Sequence, residues 1–259
     1  MLSSARQDKI LNILKEKKQV TTQELKKLLN VTGTTIRKDF KKLEKEGFLK
    51  RVHGGAVLPR SSNEPQEKAD YLDFHYRSEK NIKEKKIIGQ EAAKLIKERQ
   101  SIFLDASSTI LYFLSFLKEK NLTIITNGLY TALKTKEFKN CNVILLGGIV
   151  RSNSGAIEGL LGKEMLTKTN ADIMFTSAHG FTLQDGLTDF NFYEAQLKEK
   201  MLSKSKKLVA LLDHTKIGQV SATQFASIEE IDVLITDDKT PEKKIKEIRN
   251  AGIEVKVAK

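Results

Sequence analysis

Apolar positions recur at helical spacing through the first sixty residues, then give way to short apolar runs set between amphipathic stretches. Residues 6–17 carry Ile10, Ile13 and Leu14 on one stripe and predict a first helix. A second, over 23–29, is entered through Thr21 and Glu24, whose spacing is that of a capping box. Thr32 is placed to cap a third helix, in which Ile36, Phe40 and Leu43 turn inward. Residues 48–57 then read as a β-hairpin, with Gly54 and Gly55 allowing a turn or a close backbone approach. Three helices and a hairpin in this order predict a winged helix-turn-helix over residues 1–58. The polar, proline-containing stretch 61–69 lacks any period and marks a linker, drawn at 59–72.

Beyond it the pattern changes. Apolar strands are expected at 102–105, 123–126, 142–146, 173–177, 208–212, 233–236 and 254–257. Helices are expected at 81–97 and 109–117, as a short helix between the strands at 123–126 and 142–146, near residue 162, at 193–203 and at 241–251. Short apolar strands alternating with helices predict an α/β domain over 73–259, built on a mostly parallel sheet covered on both faces.

Charge sharpens the reading of the first domain. Residues 1–60 hold 15 Lys and Arg against 6 Asp and Glu, a balance of +9, while the remainder holds 30 against 27, a balance of +3. A positive field so concentrated attracts phosphate backbones and releases counterions on contact. A helix that shows hydroxyls and cations in its first turns suits reading of the major groove. The candidate DNA contacts are Thr32, Thr34, Thr35, Arg37, Lys38 and Lys41 of the third helix, with Lys50, Arg51 and His53 of the wing.

Other classes are set aside on composition. No apolar run reaches the roughly 18 residues of a membrane span, and the amino-terminal residues lack a signal-peptide core. The single cysteine, Cys141, sits beside an apolar run and reads as a small core residue, consistent with a reducing cytoplasm. The four histidines, His53, His75, His179 and His214, are too scattered to suggest a metal site. Neither a metal nor an organic cofactor is expected.

In parallel sheets, ligands bind beyond the carboxyl ends of the strands. The residues expected there are Asp105, Ser107, Ser108 and Thr109 after one strand, Asn127 after the next, and Gly147, Gly148 and Arg151 after a third. His179 and Gly180 follow a fourth strand, and Asp213 to Lys216 a fifth. Amides, Arg and Lys suit phosphate, and Asp and Asn suit hydroxyls, so the set predicts a phosphorylated, hydroxyl-rich small molecule. Each piece alone has a plainer reading, as a helix cap, a turn or a solvated surface cation. Their convergence carries the argument, together with Asp105, since an acid closing a buried strand needs partners.

Two sets of motifs match a known family. The first is Val31-Thr-x-x-Thr-Ile-Arg-Lys-Asp-Phe40, with Leu43-Glu44 and the wing Arg51-x-His-Gly-Gly-Ala56. The second comprises Phe103-Leu-Asp-Ala-Ser-Ser-Thr109, Thr126-Asn127, Leu146-Gly-Gly148, Gly186-Leu-Thr188, Asp213-x-x-Lys216 and Leu234-Ile-Thr-Asp237. Over essentially its whole length the chain resembles the DeoR (GlpR-type) bacterial transcription regulators. That resemblance implies a DNA-binding domain joined to a sensor domain similar to the sugar-phosphate isomerase fold. It also implies a repressor of a sugar-uptake or sugar-catabolism operon, acting as a dimer or higher even oligomer, which releases double-stranded operator DNA when a sugar phosphate binds. By the same resemblance Asp105, Ser107, Ser108, Thr109, Asn127, Gly147, Gly148 and Lys216 line the effector pocket. Many members carry glycine where this chain has Ser107, and glycine is usual at the position of Ser177.

Two other functions compete. A sugar-phosphate isomerase with a DNA-binding appendage needs a positioned carboxylate base. Where isomerases of this kind carry an acidic Gly-Ala-Asp-Glu, this chain reads Ser177-Ala-His-Gly180, so no catalytic residue is expected. Asp185, Asp189 and Glu194 remain as carboxylates that the sequence leaves unplaced. A purely dimerising large domain is the blander reading.

Overall fold

Ile10, Leu14, Leu25, Ile36, Phe40, Leu43 and Leu49, most of them positions that set the helical pattern, close with Val20 and Ala56 into one buried cluster. That cluster is the core of the first of two units, Met1–Pro65 and Gln66–Lys259. The computed structural model describes residues 3–17, 19–45, 48–52, 54–57 and 74–259. The expected linker at 59–72 therefore lies outside the described residues.

In the first unit α1 (Ser3–Lys17) leads through a short strand β1 (Gln19–Thr21) into α2 (Thr22–Leu29) and α3 (Gly33–Lys45). The Thr21 hydroxyl caps α2 by accepting the Glu24 N–H at 3.1 Å, as its spacing predicts, and the Glu24 carboxylate pairs with Lys17. The wing strands β2 (Lys50–Val52) and β3 (Gly55–Val57) are antiparallel, and β1 joins them in the order β1-β3-β2. No period of residues announces β1. Its pairing depends on Gly55, where a Cβ would run into the carbonyl of Val20.

The second unit opens with α4 (Phe74–Glu79) and α5 (Ile82–Ala93). Then follow β4 (Ser101–Leu104), α6 (Ser108–Phe113), β5 (Leu122–Thr126), α7 (Leu129–Thr135) and β6 (Cys141–Leu145). A small antiparallel pair, β7 (Ile149–Val150) and β8 (Ile157–Glu158), precedes α8 (Leu160–Thr167) and β9 (Ile173–Thr176). After these come β10 (Gly180–Thr182), β11 (Gly186–Asp189), α9 (Phe192–Leu202), β12 (Leu208–Leu211) and β13 (Thr223–Ala226). The chain closes with β14 (Val233–Asp237), α10 (Glu242–Asn250) and β15 (Glu254–Ala258).

Seven strands form one sheet in the order β15-β14-β12-β9-β4-β5-β6, every neighbouring pair parallel. Alternate residues feed opposite faces. Phe103, Ala210 and Leu234 enter one core with Leu197, Met201, Ile245 and Ile248 of α9 and α10. Ile102, Leu104, Val209, Leu211, Val233 and Ile235 enter the other with Ile88, Ile110 and Phe113 of α5 and α6. The expected parallel, doubly covered sheet is thus the observed one. Cys141 corrects its expectation: β6 is the edge strand, so its thiol is half-buried instead of lying in the core. A separate antiparallel sheet, β10-β11-β13, went unanticipated.

Candidate functional site

In α3 the buried positions Ile36, Phe40 and Leu43 leave the opposite side open. Thr34, Arg37, Lys38 and Lys41 lie three or four residues apart and are all exposed, so they form a single stripe. Thr32 and Thr35 are committed locally. The Thr32 hydroxyl accepts the Thr35 N–H at 3.2 Å, and the two hydroxyls lie 2.9 Å apart. Asp39 sits on the buried side, where Arg6 Nε at 2.6 Å and Gln7 Nε2 at 3.1 Å both donate to it. This clasp fixes α3 on α1 and was not read from the sequence. In the wing, Lys50 lies in β2 and Arg51 donates from Nε to Glu44 at 2.6 Å. His53 lies outside the described residues.

In the second unit the chain steps outward from β4 through β5 to β6, then returns to lay β9 along the other side of β4. Loops leaving β4 and β9 diverge at this reversal, and such a switch point is where open α/β sheets bind ligands. A cavity of about 350 Å³ lies there. Its walls come from Ser107, Ser108 and Thr109 after β4, from Ser177, Ala178 and His179 after β9, and from Asp213, Thr215 and Lys216 after β12. The corner between α4 and α5 adds Arg77, Lys80 and Asn81, and α5 adds Lys85.

Lys198 of α9 anchors the floor. Its ammonium donates to Asp189 at 2.6 Å and to the Ser177 carbonyl at 3.0 Å, and pairs with Asp105 at 2.8 Å. Asp105 also accepts the Ser107 N–H at 2.9 Å, the Thr176 hydroxyl at 2.7 Å and the Ser177 N–H at 2.9 Å. Burial alone would push its carboxyl up, but the Lys198 charge and these donors hold it below the usual range. Burial likewise works against the Lys198 ammonium, and the surrounding carboxylates outweigh it and raise its pKa. Asp189 turns its other oxygen to His179 Nδ1 at 2.6 Å. Burial lowers the His179 pKa against the pull of Asp189. Glu194 faces the same space, and burial pushes its carboxyl up to about 7.

Of the residues expected to meet an effector, Ser107, Ser108, Thr109 and Lys216 line the cavity together. Asp105 does not: it is fully buried beneath the floor and organises it. Asn127, Gly147, Gly148 and Arg151 lie outside the lining, because β5 and β6 stand on the far side of β4 from the switch point. Gly147, Gly148 and Arg151 instead build the turn after β6 and the β7–β8 arm, and Asn127, at the end of β5, braces that arm. Asn127 donates to the Ile157 carbonyl at 3.3 Å, and Arg151 donates from Nε to Glu158 at 2.6 Å. Gly148 has φ +147, and a Cβ there would strike the Glu158 carbonyl. Arg77, Lys80, Lys85 and Lys198 were missed. Helical period marks Lys85 and Lys198 only as cations on helices and says nothing of Arg77 and Lys80; only the packed fold brings all four to one crevice. Among the described residues no group of His, Cys, Asp or Glu is placed to hold a metal, and no helix is long and apolar enough to cross a membrane.

A winged helix-turn-helix on one chain with a doubly wound α/β unit, cavitied at its switch point, defines a two-unit DNA-binding regulator. Comparison with known proteins narrows the class. Residues 6–62 match the model of the DeoR-like helix-turn-helix domain, and residues 80–238 that of the DeoR C-terminal sensor domain. The HTH-type transcriptional regulator GolR of Listeria innocua is 46% identical over 259 residues, covering 100% of both chains. The HTH-type transcriptional repressor GlcR of Bacillus subtilis is 32% identical, covering 88% of this chain and 86% of its own. The glycerol-3-phosphate regulon repressor of Escherichia coli is 29% identical over 93% of each. Ribose 5-phosphate isomerase A of Methanocaldococcus jannaschii superposes with a TM-score of 0.40 at 17% identity, over 53% of this chain and 55% of that one. The chain belongs to the DeoR family of transcriptional regulators. Its relatives are regulators, and it is a regulator rather than an enzyme.

Proposed function

We propose that the protein represses a cytoplasmic sugar-uptake or sugar-catabolism operon and leaves its operator when a phosphorylated sugar enters the cavity. One observation carries this reading: Arg77, Lys80, Lys85 and Lys216 converge with the hydroxyls of Ser107, Ser108 and Thr109 in a single small cavity. The volume suits a small metabolite. The cations suit a dianion, and the hydroxyls and floor carboxylates suit a polyol. Burial pushes the Lys85 ammonium down to about 8; Asp213 opposes the shift, while the charges of Lys216 and Arg77 add to it. A bound phosphate relieves that repulsion. A relative whose name carries glycerol-3-phosphate, a phosphorylated polyol, agrees with this chemistry. On the DNA side Thr34, Arg37, Lys38 and Lys41 read the groove and its phosphates, and two copies of the chain read paired half-sites.

The test uses purified full-length protein to retain fragments of genomic DNA, then challenges both with a panel of pentose, hexose and polyol phosphates. A compound that binds the folded state raises its melting temperature by mass action. The same compound should release the retained fragments, with affinity falling roughly 5- to 150-fold. If no phosphorylated sugar stabilises the protein, or if those that do leave the DNA bound, the reading fails.

A further inference from the structure

One corner of the second unit carries apolar side chains that nothing in that unit covers. Leu160 and Leu161 of α8 are 82% and 64% exposed, and Ile149 of β7 is 69% exposed. Val150 beside it and Phe192 and Tyr193 of α9 are each at least half exposed. These positions adjoin one another. The Gly147 N–H donates to Met165 Sδ at 3.2 Å, which sets α8 against the turn into β7, and a Cβ on Gly147 would touch Leu161 as well. Asn191, which caps α9 just before Phe192, donates to Glu158 at 2.7 Å, and Glu158 is the residue paired with Ile149. At about 100 Å² apiece, the six exposed side chains reach the upper end of the ~300–600 Å² of the largest apolar patch on a typical monomer. They approach the ~800 Å² that each partner of a stable interface covers.

Charge and backbone together say what covers this face. From Asn140 to Val150 the chain has no charged residue, although 30% of the sequence is charged and its net charge is +12. A partner recruited by opposite charge gains nothing here, whereas a second copy of a basic chain can approach a neutral face without repulsion. β6 ends the order of the parallel sheet, and β7 pairs only with β8, so each has an edge with no strand beside it among the described residues. Such edges are ordinarily guarded by charge or proline, and β6, Cys141-Asn-Val-Ile-Leu145, has neither. The arm that displays Ile149 and Val150 is also built to hold its shape. Glu158 is buried and accepts from Arg151 Nε at 2.6 Å as well as from Asn191. Arg151 and Gly155 close the arm's turn by donating to the Ala156 and Arg151 carbonyls at 2.9 and 2.8 Å. A rigid arm loses little freedom when it docks.

We propose that the face formed by β6, β7, α8 and the start of α9 is where a second copy of the chain binds, the patch meeting the same patch about a two-fold axis. A two-fold contact is self-complementary, so it can set equal strand edges antiparallel while each copy's apolar side chains cover the other's. The inference rests on the pairing of copies in the reading above and assigns it a surface; the cavity is not involved. Gly148 and Arg151, which stand outside that cavity, then serve to hold the arm in its docking position.

Sedimentation velocity of the full-length protein, over a dilution series from micromolar concentrations, tests the surface. The unaltered chain should sediment as a dimer or a higher even oligomer. Leu160→Glu and Ile149→Glu should each weaken association roughly tenfold or more, because a charge then enters the contact without a partner. Phe116→Glu alters an exposed residue just beyond α6, on the other face of the sheet, and should leave association unchanged. Hydrogen–deuterium exchange of the unaltered chain gives a readout free of any folding defect in a variant: amides 143–150 and 160–162 should exchange faster as dilution separates the copies. A chain that is monomeric at micromolar concentration overturns the proposal and leaves the face to a different partner. Oligomers that separate with no change at those amides, or that both glutamate variants leave intact, put the contact elsewhere and overturn it too. None of these results bears on stabilisation by sugar phosphates, which thermal shift reads separately.

Discussion

Lys198 holds two buried carboxylates, Asp105 and Asp189, on a side chain that is itself 3% exposed. Removing one partner of a buried ion pair leaves the other charge stranded in a poor solvent. Lys198→Met should therefore destabilise the protein by about 3–5 kcal/mol. Urea unfolding of the full chain measures this, and a loss below 1 kcal/mol (roughly that of a surface pair) would show the network to be dispensable. Glu194 sets the pH response of the same floor. Its folded-state pKa is raised from 4.5 to about 7, so the folded protein keeps a proton that the unfolded chain gives up in that interval. The stabilisation is complete below about 4.5 and is lost as pH rises through about 7. Glu194→Gln should flatten the fall in melting temperature across that window. An identical pH profile in the variant would refute the assignment. The sequence marks Asp105, because an acid at the end of a buried strand needs partners. Those partners, Thr176 and Lys198, lie too far along the chain for any local pattern to name them.

At the scale of the element, α3 divides its labour between two faces. Arg37 stands on the exposed stripe, and Arg37→Ala should cost on the order of 1–3 kcal/mol of DNA affinity, varying with sequence if it reads a guanine. Fluorescence anisotropy on retained and scrambled duplexes separates that outcome from a uniform loss, which would make it a phosphate contact. Asp39 stands on the buried face, and Asp39→Ala should instead cost roughly 1.5–3 kcal/mol of stability, because Arg6 and Gln7 lose a charged acceptor. Thermal unfolding reads that loss, and an unchanged melting temperature would mean that the clasp contributes nothing. Most helices and all seven strands of the parallel sheet fall within a few residues of where their periodicity places them. The short elements β1, α4 and β7, and the antiparallel strands β10, β11 and β13, were not foreseen. Each has six residues or fewer and owes its conformation to a distant partner, as when Leu187 pairs with Ala226. A period cannot be read from so short a run.

For the whole molecule, the proposed function requires coupling between the helix-turn-helix unit and the cavity of the second unit, carried on the same chain. Ser108 is buried at the cavity wall, and Ser108→Asp sets a fixed negative charge among its cations. The variant should retain genomic DNA fragments but cease to release them on addition of the sugar phosphate that frees the parent protein. Normal release would mean that the phosphate lies elsewhere. The sequence by itself determined the two-unit plan, the helix order and capping of the reading head, the concentration of charge, and the family. All of these depend on neighbours a few residues apart or on motifs read in order. It also determined which residues stand at strand ends. Only the tertiary structure decided which strand ends meet. The crossing from β6 back to β9 puts the ends of β4, β9 and β12 around one crevice and sends Asn127, Gly147, Gly148 and Arg151 to another part of the unit. Strand order is set by how the two hydrophobic faces of the sheet are best covered, a property of the packed chain and not of any segment within it.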